Sequence, residues 1–299
     1  MHKPNDATVA LREGIFEYAR KRLEYDPAPL DAPQTFEFLS AHAGPTVTEE
    51  GLGGLKSLKL FEDVLAPATI STDHPGYLSF IPCAPTEAAK LFDLVVSASA
   101  IYGGSWMEGA GAVYAENEVL AWLAKEAGLP ETAGGVFVQG GTLGNLSALV
   151  AARHRAAQAL KAQGKAKPDS WKFICSAEAH SSLKAAAAVM DVEIIKAEVG
   201  DDGRLRGPAV QAALDAAGDG VFAIVATGGT TNFGIVDRLD EIGAIANANN
   251  IWFHVDGAYG LAGILADVSK PLFAGLERAD SFIVDPHKWL FAPFDACAL

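Results

Sequence analysis

Hydrophobic and polar positions change their spacing along the chain. Up to about residue 134, apolar residues recur at helical intervals, first in "VALREGIFEYARKRLEY" and in "TEEGLGGLKSLKLFEDVL", which is led by Thr48. The helical pattern continues in "TEAAKLFDLVVSASAIY" and "AVYAENEVLAWLAKEAGL". Apolar residues spaced three and four apart indicate amphipathic helices. Prolines follow the first two stretches, as expected where a helix ends. Residues 1–85 are predicted to form an N-terminal helical segment.

After Gly134, short runs rich in β-branched and aromatic residues alternate with helical stretches. The predicted strands are "GVFVQ", "KFICS", "VEIIKAEV", "VFAIVAT", "IWFHVD" and "SFIVD". The predicted helices between them include a stretch from about Leu143, "SSLKAAAAVM", "PAVQAALDAA" and "LDEIGAIANAN". Near-continuous apolar strands separated by helices indicate a mostly parallel sheet covered on both faces. The predicted fold class is therefore α/β, with the main domain at 86–299.

Composition narrows the possible partners. The 299 residues carry a formal net charge of −14, which repels nucleic acid and anionic membranes, so neither is an expected partner. No apolar run reaches the length of about 18 residues that a membrane-spanning helix needs. The three cysteines form no CxxC pair and the histidines show no ligand spacing, so no metal site is expected. The predicted location is the cytoplasm.

Polar and small residues follow the predicted strands, at the edge where α/β sheets bind ligands. After "GVFVQ" comes "GGTLGN", in which Gly140 and Gly141 lead into a helix and Thr142 adds a hydroxyl. Free N–H groups at a helix N-terminus suit a phosphate. The spacing fits neither the P-loop nor the dinucleotide fingerprint. A purely structural glycine turn is the alternative.

Three more strands are followed by candidate side chains. His180 precedes a predicted helix, where it either caps that helix or presents a flat ring to a ligand. Thr230 and Thr231 lie on a loop and are either turn residues or ligand contacts. Asp256 ends "IWFHVD" and either caps a turn or projects its carboxylate into a crevice.

Lys288 follows the last predicted strand within "SFIVDPHKWL". Most lysines are solvated, but these apolar surroundings make a charged ammonium costly. Pyridoxal phosphate requires a phosphate cradle, a planar side chain, a carboxylate and a partly buried lysine, and the strand ends supply all four. Desolvation lowers a lysine pKa toward the neutral amine that forms a Schiff base. Lys288 is therefore predicted to be the Schiff-base lysine.

Several motifs resemble those of the group II pyridoxal-phosphate decarboxylases, which include aromatic-L-amino-acid, tyrosine, histidine and glutamate decarboxylases. "HVDGAYG", followed by the lysine of "DPHKWL", is the most specific of them. "ATGGTTNFGIVD", "AEAHSS", "VQGGTLGNLSALVAAR" and "HPGYLSFIPCAPT" occur in the family's order. The resemblance implies an aspartate-aminotransferase-like fold-type I large domain. It also implies a homodimer in which residues 1–85 wrap around the partner.

The resemblance also implies roles for individual residues. Lys288 would hold pyridoxal 5'-phosphate, His180 would stack on its ring, and Asp256 would pair with the pyridine nitrogen. Ala258 would lie against the ring face and Thr231 near the ring substituents. The residues expected around the phosphate are Gly141, Thr142, Leu143, Asp285 and His287.

The chain departs from the family pattern in three ways. Animal aromatic decarboxylases commonly have asparagine where this chain has Asp285, and a carboxylate beside a phosphate is unfavourable. Their serine-bearing phosphate loop is replaced by "GGTLGN". Family members also continue well beyond this point with a loop that carries a catalytic tyrosine and a small C-terminal domain. The chain is therefore expected to be a truncated version of such an enzyme.

The expected activity is decarboxylation of an L-amino acid to its amine and CO₂. Tyr77, Phe80 and Trp106 form a candidate aromatic substrate pocket, although each could equally belong to a core. Their positions in family-like segments favour an aromatic substrate. The alternatives are an aldehyde synthase or a carbon–carbon lyase that uses the same cofactor, and a non-catalytic dimerising fragment.

Overall fold

The chain divides into two units. The computed structural model describes residues 3–79 and 81–299. Clustering of its contacts separates residues 1–80 from residues 81–299. The sequence placed this boundary at about residue 85.

The first unit is helical. Its helices are α1 (Asp6–Leu23), α2 (Phe36–Ala43) and α3 (Gly54–Leu60). Asn5 caps α1 by accepting from the Thr8 N–H, and the Thr8 hydroxyl faces the Asn5 backbone in return. No residue of these three helices is fully buried. Their apolar faces are therefore only partly covered in a single chain.

The helix α3 begins later than its hydrophobic pattern predicts. The sequence indicated a start near Thr48, whereas α3 starts at Gly54 and continues as a π-helical turn, Phe61–Leu65. Gly51 and Gly53 have φ angles of 70° and 78°. Glycine adopts positive φ angles readily, whereas the residues inside a right-handed helix have negative ones. The helix therefore forms only beyond Gly53.

The second unit combines helices with strands. Its helices are α4 (Glu87–Ala98), α5 (Trp106–Glu126), α6 (Gly140–Ala162), α7 (Ser181–Met190), α8 (Gly207–Ala217) and α9 (Leu239–Ala248). Its strands are β1 (Phe137–Val138), β2 (Lys172–Ser176), β3 (Glu193–Ala197), β4 (Val221–Thr227), β5 (Trp252–Asp256), β6 (Ser281–Ile283) and β7 (Cys297–Ala298). Among the described residues, no helix is both long and apolar enough to cross a bilayer.

Five of the described strands form one parallel sheet in the order β3-β2-β4-β5-β6. Side chains alternate between its faces. Phe173 of β2 packs in a buried cluster that includes residues of α6 and α7, whereas Ile174 joins a second cluster that includes residues of α8 and α9. Because both faces are covered, the strands are apolar throughout rather than alternating. The predicted α/β fold is confirmed.

The predicted strand "GVFVQ" does not join this sheet. Phe137 and Val138 form its strand and pair antiparallel with Ala298 and Cys297 of β7. Gly134 and Gly135 precede the strand, and after Gln139 the chain reaches Gly140, which starts α6 with a φ of 72°. The run is therefore too short for a full parallel strand, and its partner lies far away in the sequence.

Candidate active site

The carboxyl ends of the parallel strands surround a cavity of about 280 Å³. This volume is near the lower end of the range for small-molecule sites. The N-terminus of α6 and the loop after β6 complete its wall. The structure brings nine of the predicted residues to this cavity, namely Gly141, Thr142, His180, Thr231, Asp256, Ala258, Asp285, His287 and Lys288.

Lys288 lies in the turn after β6, and its side chain is 22% exposed. Its Nζ is 3.1 Å from Oδ2 of Asp285, a carboxylate that is only 2% exposed. The other oxygen, Oδ1, is buried and has no partner of ordinary hydrogen-bond geometry among the described residues. A buried carboxylate oxygen normally has a donor. The cavity therefore contains the Lys288 amine paired with a buried carboxylate, which also interacts with the Cys297 thiol.

Asp256 ends β5 and is 5% exposed. Its Oδ2 accepts from Asn145 Nδ2 at 2.8 Å, and its Oδ1 accepts from the Ala258 N–H at 3.3 Å. Within the described ranges, no lysine or arginine lies within ion-pair distance of this carboxylate. A buried carboxylate that has donors but no counter-ion favours a cationic group placed beside it.

His180 stands at the N-terminus of α7 and faces the cavity. Its Nδ1 accepts from the Ser182 backbone N–H at 3.2 Å and lies 2.9 Å from the Ser182 hydroxyl. The histidine therefore does cap its helix, as one of the two sequence interpretations had it. Capping uses only Nδ1, which leaves the ring face and Nε2 available to a ligand.

The N-terminus of α6 supplies backbone donors to the same cavity. The first N–H groups of a helix have no partner within it and favour an anion. A side chain at position 141 would come within 3.0 Å of Asp285 Oδ2 and 3.2 Å of Ala258. Glycine at Gly141 therefore lets the helix approach these two strand ends closely. Because Gly141 lies this close to Asp285 Oδ2, the Asp285 carboxylate is next to the candidate phosphate site at the α6 N-terminus.

His287 is buried and engaged with the backbone. Its Nδ1 lies 2.8 Å from the Ala296 carbonyl oxygen and 3.0 Å from the Ala296 nitrogen. Its Nε2 is 3.8 Å from Asp285 Oδ2.

The thiol of Cys297 is buried near Asp285. Burial raises the pKa of this thiol far above its ordinary value, and the charge of Asp285 raises it further. This thiol therefore stays protonated.

Two further predicted residues of the second unit, Leu143 and Trp106, do not line the cavity. Leu143 follows Thr142 in α6, and the helix turns its side chain away, so that it is 38% exposed and does not line the wall. Trp106 begins α5, is 60% exposed, and is not part of the wall either. Tyr77 is half-buried in the first unit, and Phe80 lies outside the described residues. The aromatic-pocket hypothesis stays a prediction.

The sequence interpretation missed several residues on the cavity wall, among them Asn145, Ser182, Tyr259 and Phe294. Both Asn145 and Ser182 lie on helices and contact a predicted residue. Asn145 donates to Asp256 at 2.8 Å, and the Ser182 hydroxyl is 2.9 Å from His180 Nδ1. A polar side chain on the buried face of a helix is the signal that could have identified them. Tyr259 stacks on Trp289 with a centroid distance of 5.4 Å.

Comparison with known proteins identifies the family. The sequence model described as the pyridoxal-dependent decarboxylase conserved domain matches residues 54–299. This chain belongs to that family. Its cofactor is accordingly pyridoxal 5'-phosphate.

Individual relatives agree with this assignment. An aromatic-L-amino-acid decarboxylase from Bacillus atrophaeus is 34% identical over 236 residues, which cover 76% of this chain and 47% of that protein. An L-2,4-diaminobutyrate decarboxylase from Rhizobium meliloti is 36% identical over 235 residues, covering 76% of this chain and 45% of the relative. The chain thus spans about half the length of these curated relatives.

The fold also matches solved structures. One is the glutamate decarboxylase domain of a diaminobutyrate-pyruvate transaminase and L-2,4-diaminobutyrate decarboxylase from Vibrio parahaemolyticus. It superposes with a TM-score of 0.87 at 27% identity and covers 100% of this chain and 68% of that one. The predicted fold-type I domain is confirmed by this likeness.

The residues present fit the cofactor. The uncompensated carboxylate of Asp256 suits a protonated pyridine nitrogen, and the amine of Lys288 suits an aldehyde. The α6 N-terminus provides donors for the phosphate. Two carboxylates near the α6 N-terminus, Asp285 and Asp295, oppose the phosphate, because their charges have the same sign.

Replacing Asp285 with asparagine is expected to tighten binding of pyridoxal phosphate about tenfold, or ~1.4 kcal/mol. The change removes a like charge from beside the α6 N-terminus and releases Lys288 from its ion pair. Equilibrium dialysis of the apoprotein gives the dissociation constant. Asp219→Asn makes the same charge change in the exposed turn before β4, at the opposite edge of the sheet, and serves as the control. Unchanged or weaker binding in the Asp285 variant would contradict the repulsion.

Proposed function

We propose that this chain is the cofactor-binding part of a pyridoxal-phosphate-dependent amino-acid decarboxylase, and that its substrate is an aromatic L-amino acid. One observation carries the proposal: Lys288, Asp256 and His180 meet on a single cavity at the carboxyl ends of one sheet. These three groups come from separate parts of the sequence, and the parallel sheet brings them together because its strands end at one edge.

Each of the three has a distinct task. When bound, pyridoxal phosphate supplies an aldehyde for an amine and a ring that accepts an electron pair. Lys288 would attach the cofactor through Nζ and release it to the substrate amine. Asp256 would keep a proton on the ring nitrogen by its negative charge, and the His180 ring would fix the plane of the cofactor. Burial of these groups strengthens each electrostatic contribution.

An aromatic substrate is supported by the cavity wall and by one relative. Tyr259 and Phe294 supply aromatic surface, and the Bacillus relative is an aromatic-L-amino-acid decarboxylase. Among the described residues that line the cavity, none is an arginine. An acidic side chain such as that of glutamate would therefore lack its natural partner.

A second candidate substrate is L-2,4-diaminobutyrate. The carboxylate of Asp295 lies on the cavity wall and would suit a cationic side chain. The Rhizobium relative is named for this substrate. A homodimer and a cytoplasmic location stay predictions from the sequence, as do the aldehyde-forming, carbon–carbon lyase and non-catalytic alternatives.

Product analysis tests the proposal. Protein loaded with pyridoxal phosphate is incubated separately with L-tryptophan, L-tyrosine, L-2,4-diaminobutyrate and L-glutamate, and CO₂, amine, aldehyde and ammonia are measured. We expect amine and CO₂ in equal amounts, with an aromatic substrate preferred by at least about tenfold in kcat/KM. Preference for diaminobutyrate would establish the second candidate instead. Aldehyde with ammonia would contradict simple decarboxylation, and cofactor binding without any product would favour the non-catalytic alternative.

A further inference from the structure

A continuous series of hydrogen bonds, partly buried at its start and buried at its end, runs from the first residue of β5 to the cavity. Trp252 Nε1 donates to Ser281 Oγ at 2.8 Å, and that hydroxyl is 2.8 Å from His254 Nδ1. His254 Nε2 is 2.9 Å from Asn145 Oδ1. Asn145 Nδ2 then reaches Asp256 Oδ2 at 2.8 Å. The amide of Asn145 thus lies between an imidazole and a carboxylate.

The contacts fix the direction of these bonds around Asn145. A carboxylate only accepts, so the side of the amide that faces Asp256 must be the NH₂ group. The same NH₂ group contacts Ser182 Oγ at 2.9 Å. The amide oxygen therefore faces His254, whose Nε2 must carry a proton to donate to it. Asn145 is 1% exposed and His254 is fully buried, so water does not replace either partner.

The protonation state of His254 determines how strong the negative potential of Asp256 is in the cavity. Asp256 is on the same strand and is the ionisable group that acts on the histidine, whereas α6 and β6 contribute only the uncharged Asn145 and Ser281. A protonated His254 would balance the Asp256 carboxylate from behind. A neutral one leaves that charge uncompensated.

We propose that Asn145 is a positioning residue, a neutral spacer that keeps His254 uncharged and so leaves the negative charge of Asp256 to the pyridine nitrogen of the cofactor. The inference rests on the proposed function, because it takes Asp256 as the ring-nitrogen partner. The amide accepts the histidine proton and orients the carboxylate without adding charge. Burial lowers the pKa of His254 to about 4, and this effect outweighs the opposite effect of the Asp256 charge. The histidine ring is therefore neutral at pH 7.

Histidine protonation in the apoprotein tests this inference. Protein with ¹⁵N-labelled imidazoles is titrated from about pH 8 to about pH 5, a window in which exposed histidines take up protons. We expect His254 to keep the neutral Nε2–H pattern throughout in the parent. In Asn145→Asp, a carboxylate contacts the ring directly, so the His254 midpoint is expected to rise by about one to three pH units and enter the window.

Asn250→Asp provides the matched control, because it makes the same substitution at an exposed position and should leave His254 unchanged. A parent His254 that titrates within the window, or that carries its proton on Nδ1, would overturn the proposal even if the buried carboxylate prevents folding of the variant. So would an Asn145→Asp protein in which His254 behaves as in the parent. The histidine titration is done on the apoprotein, so its outcome does not depend on cofactor binding. A separate failure of the protein to bind pyridoxal phosphate would refute the proposed function and leave the titration result unchanged.

Discussion

Replacing Lys288 with alanine is expected to abolish covalent fixation of pyridoxal phosphate by borohydride. Lys288 Nζ faces the cavity, where its ion pair with Asp285 holds it at 3.1 Å. A lysine amine held beside a bound aldehyde can attack it and form a covalent bond that borohydride reduces. The parent protein should therefore become yellow with the cofactor and carry one reduced adduct, found on Lys288 by peptide mass spectrometry.

The control for this experiment is Lys184→Ala, which removes an exposed lysine from α7. That variant should form the adduct to the same extent as the parent. In Lys288→Ala, CO₂ release from any amino acid should also fall below detection. Adduct formation in the Lys288 variant at the level of the parent would show that another lysine holds the cofactor, and the assignment of the site would then be wrong.

Local pattern predicted the parallel sheet because its strands are short and their apolar runs have clear ends. The bounds of β2, β4 and α7 agree with the predicted segments residue for residue. In each case a run of apolar residues ends at polar or small ones, so hydrophobic burial and turn chemistry indicate the same boundary. Between Thr48 and Gly53 the hydrophobic pattern and the turn residues indicated different boundaries. There the glycine conformations determined where α3 starts.

The topology of a parallel sheet made the position of the candidate site predictable. Parallel strands place their carboxyl ends at one edge, so Asp256 and Lys288 could be expected to meet without knowledge of their distances. The Leu143 side chain does not line the wall, because sequence proximity to Gly141 and Thr142 does not show which way a helical side chain turns. Its place near the phosphate stays a prediction.

Asn145 shows what the sequence pattern could not reveal. It occurs in an ordinary helical stretch, and its partners His254 and Asp256 lie 109 and 111 positions further along the chain. No local spacing indicates a contact over such a separation. A buried asparagine is recognised as part of the site only once its amide is seen to satisfy both neighbours.

Asp256→Asn is expected to lower kcat by about a hundredfold or more, the effect typical of removing one electrostatic contact to the charge that develops in a transition state. The carboxylate is buried and unpaired among the described residues, so its charge is available to hold a proton on the ring nitrogen. An amide of the same shape retains the packing and removes that charge. Initial rates of CO₂ release at saturating substrate measure the loss, and KM should change much less because ground-state binding is mostly retained.

A cofactor analogue separates the electrostatic role of Asp256 from a structural one. N-methyl pyridoxal phosphate carries a permanent positive charge on the ring nitrogen and needs no carboxylate to maintain it. We expect it to restore a substantial part of the rate in Asp256→Asn and to give no gain in the parent. If the analogue fails to rescue the variant while still binding it, the charge argument is contradicted, because loss of activity would then follow from displaced neighbours such as Asn145 and Ala258.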